Sequence, residues 1–179
     1  MEEVIIHLPI SRRTLFRLFE SREELLFEIY KKAALFLNTE VRKDQALIDS
    51  SLSRTEGIEK RIESIIKVLI TYEKHTQFIV EFDALDKVSD KVYDGYSEFY
   101  QKINYIYYLL EEQYRDDGYS KEELYRLSFL ILETSFGLVY RLITTARSNY
   151  FPRIDENVVY EISYGLMAII RKYETKYKV

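Results

Sequence analysis

Four arginines, Arg12, Arg13, Arg17 and Arg22, crowd one short stretch near the N-terminus, opposed there only by Glu20. The chain as a whole is acidic, with 26 Lys and Arg against 30 Asp and Glu and a net charge of −4. A local basic cluster on an acidic protein is what a phosphate-contacting surface needs. The neighbouring residues put these cations on a helix. Ser11 is a good N-cap, Pro9 ends whatever precedes it, and Leu15, Leu18 and Phe19 share one apolar face. Arg12, Arg13, Thr14 and Arg17 lie largely off that face. Ser21-Arg22-Glu23-Glu24 then reads as a capping box that opens a new helix almost at once. A short helix, a break and a long helix match the second half of a helix-turn-helix, whose second helix enters the DNA major groove. The plainer alternative is a surface helix with an arginine-rich face.

A second candidate for chemistry is Glu133. It falls at helical spacing with Phe129, Phe136 and Tyr140, on a face that otherwise reads as apolar. A buried unpaired carboxylate costs several kcal/mol or becomes neutral. Glu133 therefore calls for an internal Arg or Tyr, a cationic ligand, or a place on a rim. Catalytic signatures are missing: there is no glycine-rich phosphate loop, nucleophile elbow or Glu-x-x-His pair. His7 and His75 lack metal-ligand spacing, and cysteine is absent. No enzyme activity, metal or cofactor is expected. His75 reads as the end of a helix, where the dipole favours a cation.

These residues must be positioned by helices. Only five glycines and two prolines occur in 179 residues, too little turn chemistry for a sheet-rich fold. Helical periodicity runs through residues 22 to about 49, 58–75, 76–86, 89–115, 120 to about 148, and 157–177. Ser120-Lys121-Glu122-Glu123 is another capping box, and Asp116-Asp117-Gly118 is a break. The polar run 49–55 divides the chain into a region of residues 1–48 and a larger helical domain of residues 49–179. No signal peptide or membrane span is expected, because the longest apolar region, 124–144, is interrupted by Arg126, Glu133 and Arg141. The lack of cysteine fits a cytoplasmic protein.

Leu8-Pro9-Ile10-Ser11-Arg12-Arg13-Thr14-Leu15-Phe16-Arg17-Leu18-Phe19-Glu20-Ser21-Arg22-Glu23-Glu24-Leu25 resembles the TetR family of bacterial transcriptional regulators. Ser11, Thr14, Leu15, Phe19, Ser21, Glu23, Glu24 and Leu25 agree in register with that family's pattern across its recognition helix and the start of its next helix. The resemblance implies an all-α, TetR-like fold with a partial DNA-binding region followed by a ligand-binding and dimerisation domain. It assigns DNA contact to Ser11, Arg12, Arg13, Thr14, Phe16, Arg17 and Arg22. Phe16 stands where the family often has a phosphate-touching tyrosine, and Pro9 replaces the turn glycine. The implied ligand cavity draws on Phe78, Phe82, Tyr93, Tyr100, Tyr107, Phe129, Glu133, Phe136 and Tyr140. The last two helices would pair with their copies in a homodimer through Leu124, Leu127, Ile131, Leu138, Val158, Ile162, Gly165 and Ile169.

The expected function is a ligand-responsive regulator, a repressor by default. It would hold operator DNA as a homodimer and be released by a small-molecule effector. The family's first helix precedes the matched pattern, and here only residues 1–8 do. Residues before Ser11 are therefore expected to be frayed or unusually packed, with weak DNA binding. A longer parent chain would explain this. So would the alternative function, a helical ligand-sensing or dimerisation module that does not bind DNA.

Overall fold

A computed structural model of the chain describes residues 18–19, 21–85, 90–145 and 155–176. Among them are seven helices and no strand. They are α1 (Arg22–Gln45), α2 (Arg54–Thr71), α3 (Glu73–Asp83), α4 (Asp90–Ile103), α5 (Tyr105–Tyr114), α6 (Lys121–Thr145) and α7 (Glu156–Lys176). The all-helical expectation holds. The arginine-rich segment from Ser11 to Arg17, and the expectation about the residues before it, lie outside the described residues.

Short polar signals start the helices. The Ser21 side chain caps α1, accepting from the Glu24 backbone N–H at 3.0 Å. Ser53 and Glu56 form a complete capping box at the start of α2. That box, Ser53-Arg54-Thr55-Glu56, sits inside the run read from sequence as a loop, so the helix begins earlier than its apolar periodicity suggests. Ser120 and Glu123 bond reciprocally ahead of α6, at 2.9 and 3.2 Å. Gly118 closes the turn after α5 with φ of 81°, a left-handed conformation that glycine adopts without steric cost.

Two breaks differ from the periodicity: the one expected after His75 falls at Tyr72, and the one at Asn104 was not expected. Tyr72 leaves helical geometry (φ −106°, ψ 52°) and separates α2 from α3. The buried Thr76 hydroxyl then donates to the Leu69 carbonyl at 2.7 Å, satisfying an acceptor that the helix end would leave unpaired. The expected helix over 89–115 is two helices, divided at Asn104 (φ −66°, ψ 78°). Its side chain accepts from the Tyr107 N–H at 3.0 Å and so caps α5. His75, expected at a helix C-terminus, lies in the first turn of α3 and stacks on Phe36 with ring centroids 4.6 Å apart. The dipole argument for His75 therefore does not apply.

Helix α1 packs on α2, α3 and α4; α6 packs on α2, α3, α5 and α7; α7 also lies along α2. The core they enclose includes Ile58, Ile66, Leu110, Ile131, Val139 and Ile170, each almost wholly buried. Each such side chain contributes about 1.5–3 kcal/mol on leaving water. Where α1 meets α3 and α4 the core is aromatic: Tyr30 lies 4.7 Å from Phe82 and 5.3 Å from Tyr96, centroid to centroid. Gly95 permits this approach, since a Cβ there would stand 3.0 Å from the Phe27 ring. By length and composition α6 is apolar enough to cross a membrane. Its inner face, Leu124, Leu127, Ile131, Val139 and Ile143, is core of the helical assembly.

Candidate functional site

The aromatic core opens into a cavity of about 90 Å³ between α1, α2, α3, α4, α5 and α6, with Asn104 also in its wall. Helix α1 contributes Tyr30, Ala34, Leu37 and Asn38 to its wall, and α6 contributes Leu132, Glu133 and Phe136. Tyr30, Ala34, Leu37 and Asn38 share one face of α1 because they recur at three- and four-residue spacing. Asp83, the last residue of α3, and Tyr100, near the end of α4, complete the polar part. The volume is below the 300–1,000 Å³ or so of pockets that enclose a drug-sized ligand. A group of a few non-hydrogen atoms fits, and anything larger must project through the mouth.

The Tyr96 hydroxyl faces both the Tyr30 hydroxyl and the Asp83 carboxylate. The Tyr100 hydroxyl donates to Glu133 Oε1 across a long 3.4 Å. By residue area both acids are exposed to solvent, although the cavity wall crowds their carboxyls. Loss of hydration pushes the Asp83 carboxyl up to about 7; the Tyr96 hydrogen bond opposes that rise and the nearby Glu133 charge adds to it. Loss of hydration also raises Glu133, and its Tyr100 bond partly offsets this. Burial raises all three tyrosines, chiefly by desolvation, so their hydroxyls stay protonated donors. Among the described residues, no lysine, arginine or histidine lines this cavity or pairs with either acid. No three potential metal ligands cluster among them either.

Of the residues expected to face a ligand, Tyr100, Glu133 and Phe136 line the cavity. Phe82 belongs instead to the buried ring cluster, with Phe78 6.5 Å from it. Tyr107 turns away from the cavity towards Tyr125, 5.9 Å off, because the break at Asn104 rotates α5 relative to α4. Tyr140 is half-buried but off the cavity wall. Phe129 is exposed and stands edge-on to Tyr100 at 6.0 Å, outside the wall itself. The side chain of Tyr93 lies outside the described residues. Tyr30 and Asp83 were missed from sequence. Asp83 carried a usable signal, since a carboxylate in the last turn of a helix opposes the dipole.

The expected dimer stripe divides in two. Leu124, Leu127 and Ile131 are buried in the chain's own core, none more than 2% exposed. Val158, Ile162 and Ile169 are half-buried, and Ile162 and Ile169 pack against that core. Leu138 and Gly165 do face outward. Among the described residues, the exposed large hydrophobics of α6 and α7 are Phe129, Leu130, Leu138, Tyr160 and Tyr164, of which only Leu138 belongs to the sequence-derived stripe. Nothing lies within 4 Å of the Cβ position of Gly137 or Gly165, so a second helix could approach closely there. Of the expected DNA contacts only Arg22 is described, exposed at the first turn of α1.

Comparison with known protein families, with curated proteins and with solved structures gives no match.

Proposed function

We propose that this chain is a TetR-like, ligand-responsive transcriptional regulator, working in the cytoplasm by binding rather than catalysis. It holds operator DNA as a homodimer and acts by default as a repressor that a small molecule releases. One observation carries the reading: α1 connects the two halves of the mechanism. Its first turn follows directly on the arginine-bearing segment, capped at Ser21, and its buried face supplies a wall of the cavity. A ligand that changes the packing of Tyr30, Ala34 or Leu37 necessarily acts on the helix that leads to the arginines. Release requires the ligand to prefer one arrangement of α1 by about 1–3 kcal/mol.

The exposed Leu130, Leu138, Tyr160 and Tyr164 favour self-association through α6 and α7. A twofold dimer would present two recognition helices to a palindromic site. The test is fluorescence anisotropy of the full chain on DNA from upstream of its own gene, at two salt concentrations. Sequence-selective binding that weakens with salt is the expected result. No binding at either salt would overturn the regulator and leave a ligand-sensing or dimerisation module.

A further inference from the structure

We infer that the cavity between α1, α3, α4 and α6 recognises a small organic monocation, an amine or quaternary ammonium, with its charged head held between Asp83 and Glu133. This deepens the proposed function and rests on its assignment of the cavity as the effector site.

Three independent features of the site converge on positive charge. Two carboxyls reach it from different helices, Asp83 from the end of α3 and Glu133 from the middle of α6. Neither has a cationic partner among the described residues. Tyr30, Tyr100 and Phe136 supply rings to the cavity wall, and Tyr96, off the wall, stands 5.3 Å from Tyr30 and 6.1 Å from Tyr100, centroid to centroid. Aromatic faces with adjoining anions are the chemistry by which proteins bind alkylammonium groups. The Tyr100 hydroxyl is already engaged by the Glu133 carboxylate.

Other ligand classes fit poorly. An anion would meet two acids and no described cation. A divalent metal wants six or more oxygen ligands, or near-octahedral geometry, and no described cluster of three acids or histidines supplies them. A neutral apolar ligand gains nothing from the carboxyls and leaves them desolvated. The small volume suits a compact head.

The test is titration calorimetry of the full chain with choline, with benzyltrimethylammonium and with 3,3-dimethylbutan-1-ol, a neutral counterpart of choline in shape. The expected result is binding of at least one cation, with the alcohol weaker by about tenfold or more. Asp83→Asn and Glu133→Gln, both near-isosteric, should each reduce cation binding by about tenfold while keeping the helical circular dichroism. Equal binding of the alcohol, or no binding of either cation at millimolar concentration, overturns the inference. The cation-to-alcohol ratio of the unaltered chain decides even if a variant fails to fold. The operator experiment is separate. Cation binding without any effect on DNA affinity would retain the ligand class and sink the release mechanism. DNA binding without cation binding would do the reverse.

Discussion

Asn104 Nδ2 donates to Ser128 Oγ at 3.0 Å, tying the break between α4 and α5 to the middle of α6. Both residues are buried, and the Asn104 Oδ1 also caps α5. One side chain thus ends a helix, starts the next and fixes both against a third. Asn104→Ala removes a cap and leaves a buried pairing unmade, a loss of about 2 kcal/mol. Chemical denaturation should show a lower midpoint at unchanged slope. A change below about 0.5 kcal/mol, the scale of surface substitutions, would contradict this role.

The close approach of α4 to α1 predicts intolerance at Gly95. Its Cβ position lies 3.0 Å from Phe27 Cε1, and Phe27 is itself packed against Tyr30, Phe82 and Phe99. Gly95→Val should cost about 1–3 kcal/mol through overpacking. Gly137→Ala meets nothing within 4 Å and should stabilise the isolated chain by about 1 kcal/mol through helix propensity. Thermal unfolding of the two variants side by side checks both signs.

Stability should also respond to the titration of Asp83. Its carboxyl lies near 7 in the folded chain against 3.8 when unperturbed, so the folded state holds its proton to higher pH. The stabilising contribution is complete below the unperturbed value and disappears as pH rises through about 7. The groups facing Asp83 are Tyr30 from α1, Tyr96 and Tyr100 from α4, and Glu133 from α6, none of them cationic. The melting temperature should fall between about pH 5 and pH 8 in the unaltered chain and fall less in Asp83→Asn. Parallel curves for the two proteins would remove Asp83 as the source.

Self-association has its own test. Leu138→Glu and Tyr164→Glu place charge on the open face of α6 and α7 without touching the interior. Sedimentation of the unaltered chain should show a dimer at micromolar concentration, and of the double variant a monomer with unchanged helicity. A dimer unaffected by the pair would put the interface elsewhere.

The arginines can be read through salt. Replacing Arg12 and Arg13 by alanine should weaken DNA binding and reduce the slope of log affinity against log salt by about 0.9 for each phosphate that is no longer neutralised. An unchanged slope would separate these residues from the phosphate backbone.

The helices were legible wherever a cap and an apolar stripe agreed. Ser21 before α1 and Ser120 before α6 mark real starts, and Leu25, Ala33, Leu37 and Val41 recur at helical spacing and are buried. The break between α2 and α3 was read after His75 rather than at Tyr72, and the one at Asn104 was not legible, because the apolar spacing continues across it. What sets them is a side-chain bond, Thr76 to Leu69 in one case and Asn104 to Ser128 in the other. The cavity was half legible. Glu133 stood out as an acid on an apolar face, whereas Tyr30 looked like any core aromatic. Partition between core and open surface was the least legible property. Ile131 and Leu130 are neighbours of equal hydrophobicity, yet one is 1% exposed and the other 43%. Only the packing of α6 on four other helices tells them apart.

Helix α1 is 24 residues long. At about 1.5 Å per residue it spans roughly 36 Å. Seen as a lever, it has its load at Ser21 and its fulcrum where Val41 and Gln45 are clamped, the latter by a bond from Gln45 Nε2 to the Arg61 carbonyl at 3.1 Å. A tilt of about 5° around that fulcrum moves the Ser21 end by about 3 Å over this length. Tyr30 and Ala34 sit partway along the arm, so under the proposed release mechanism such a tilt would accompany wall displacements of an ångström or two. The gearing follows from helix length alone, and shortening or kinking the arm, as with a proline at Lys32, would disconnect one end from the other.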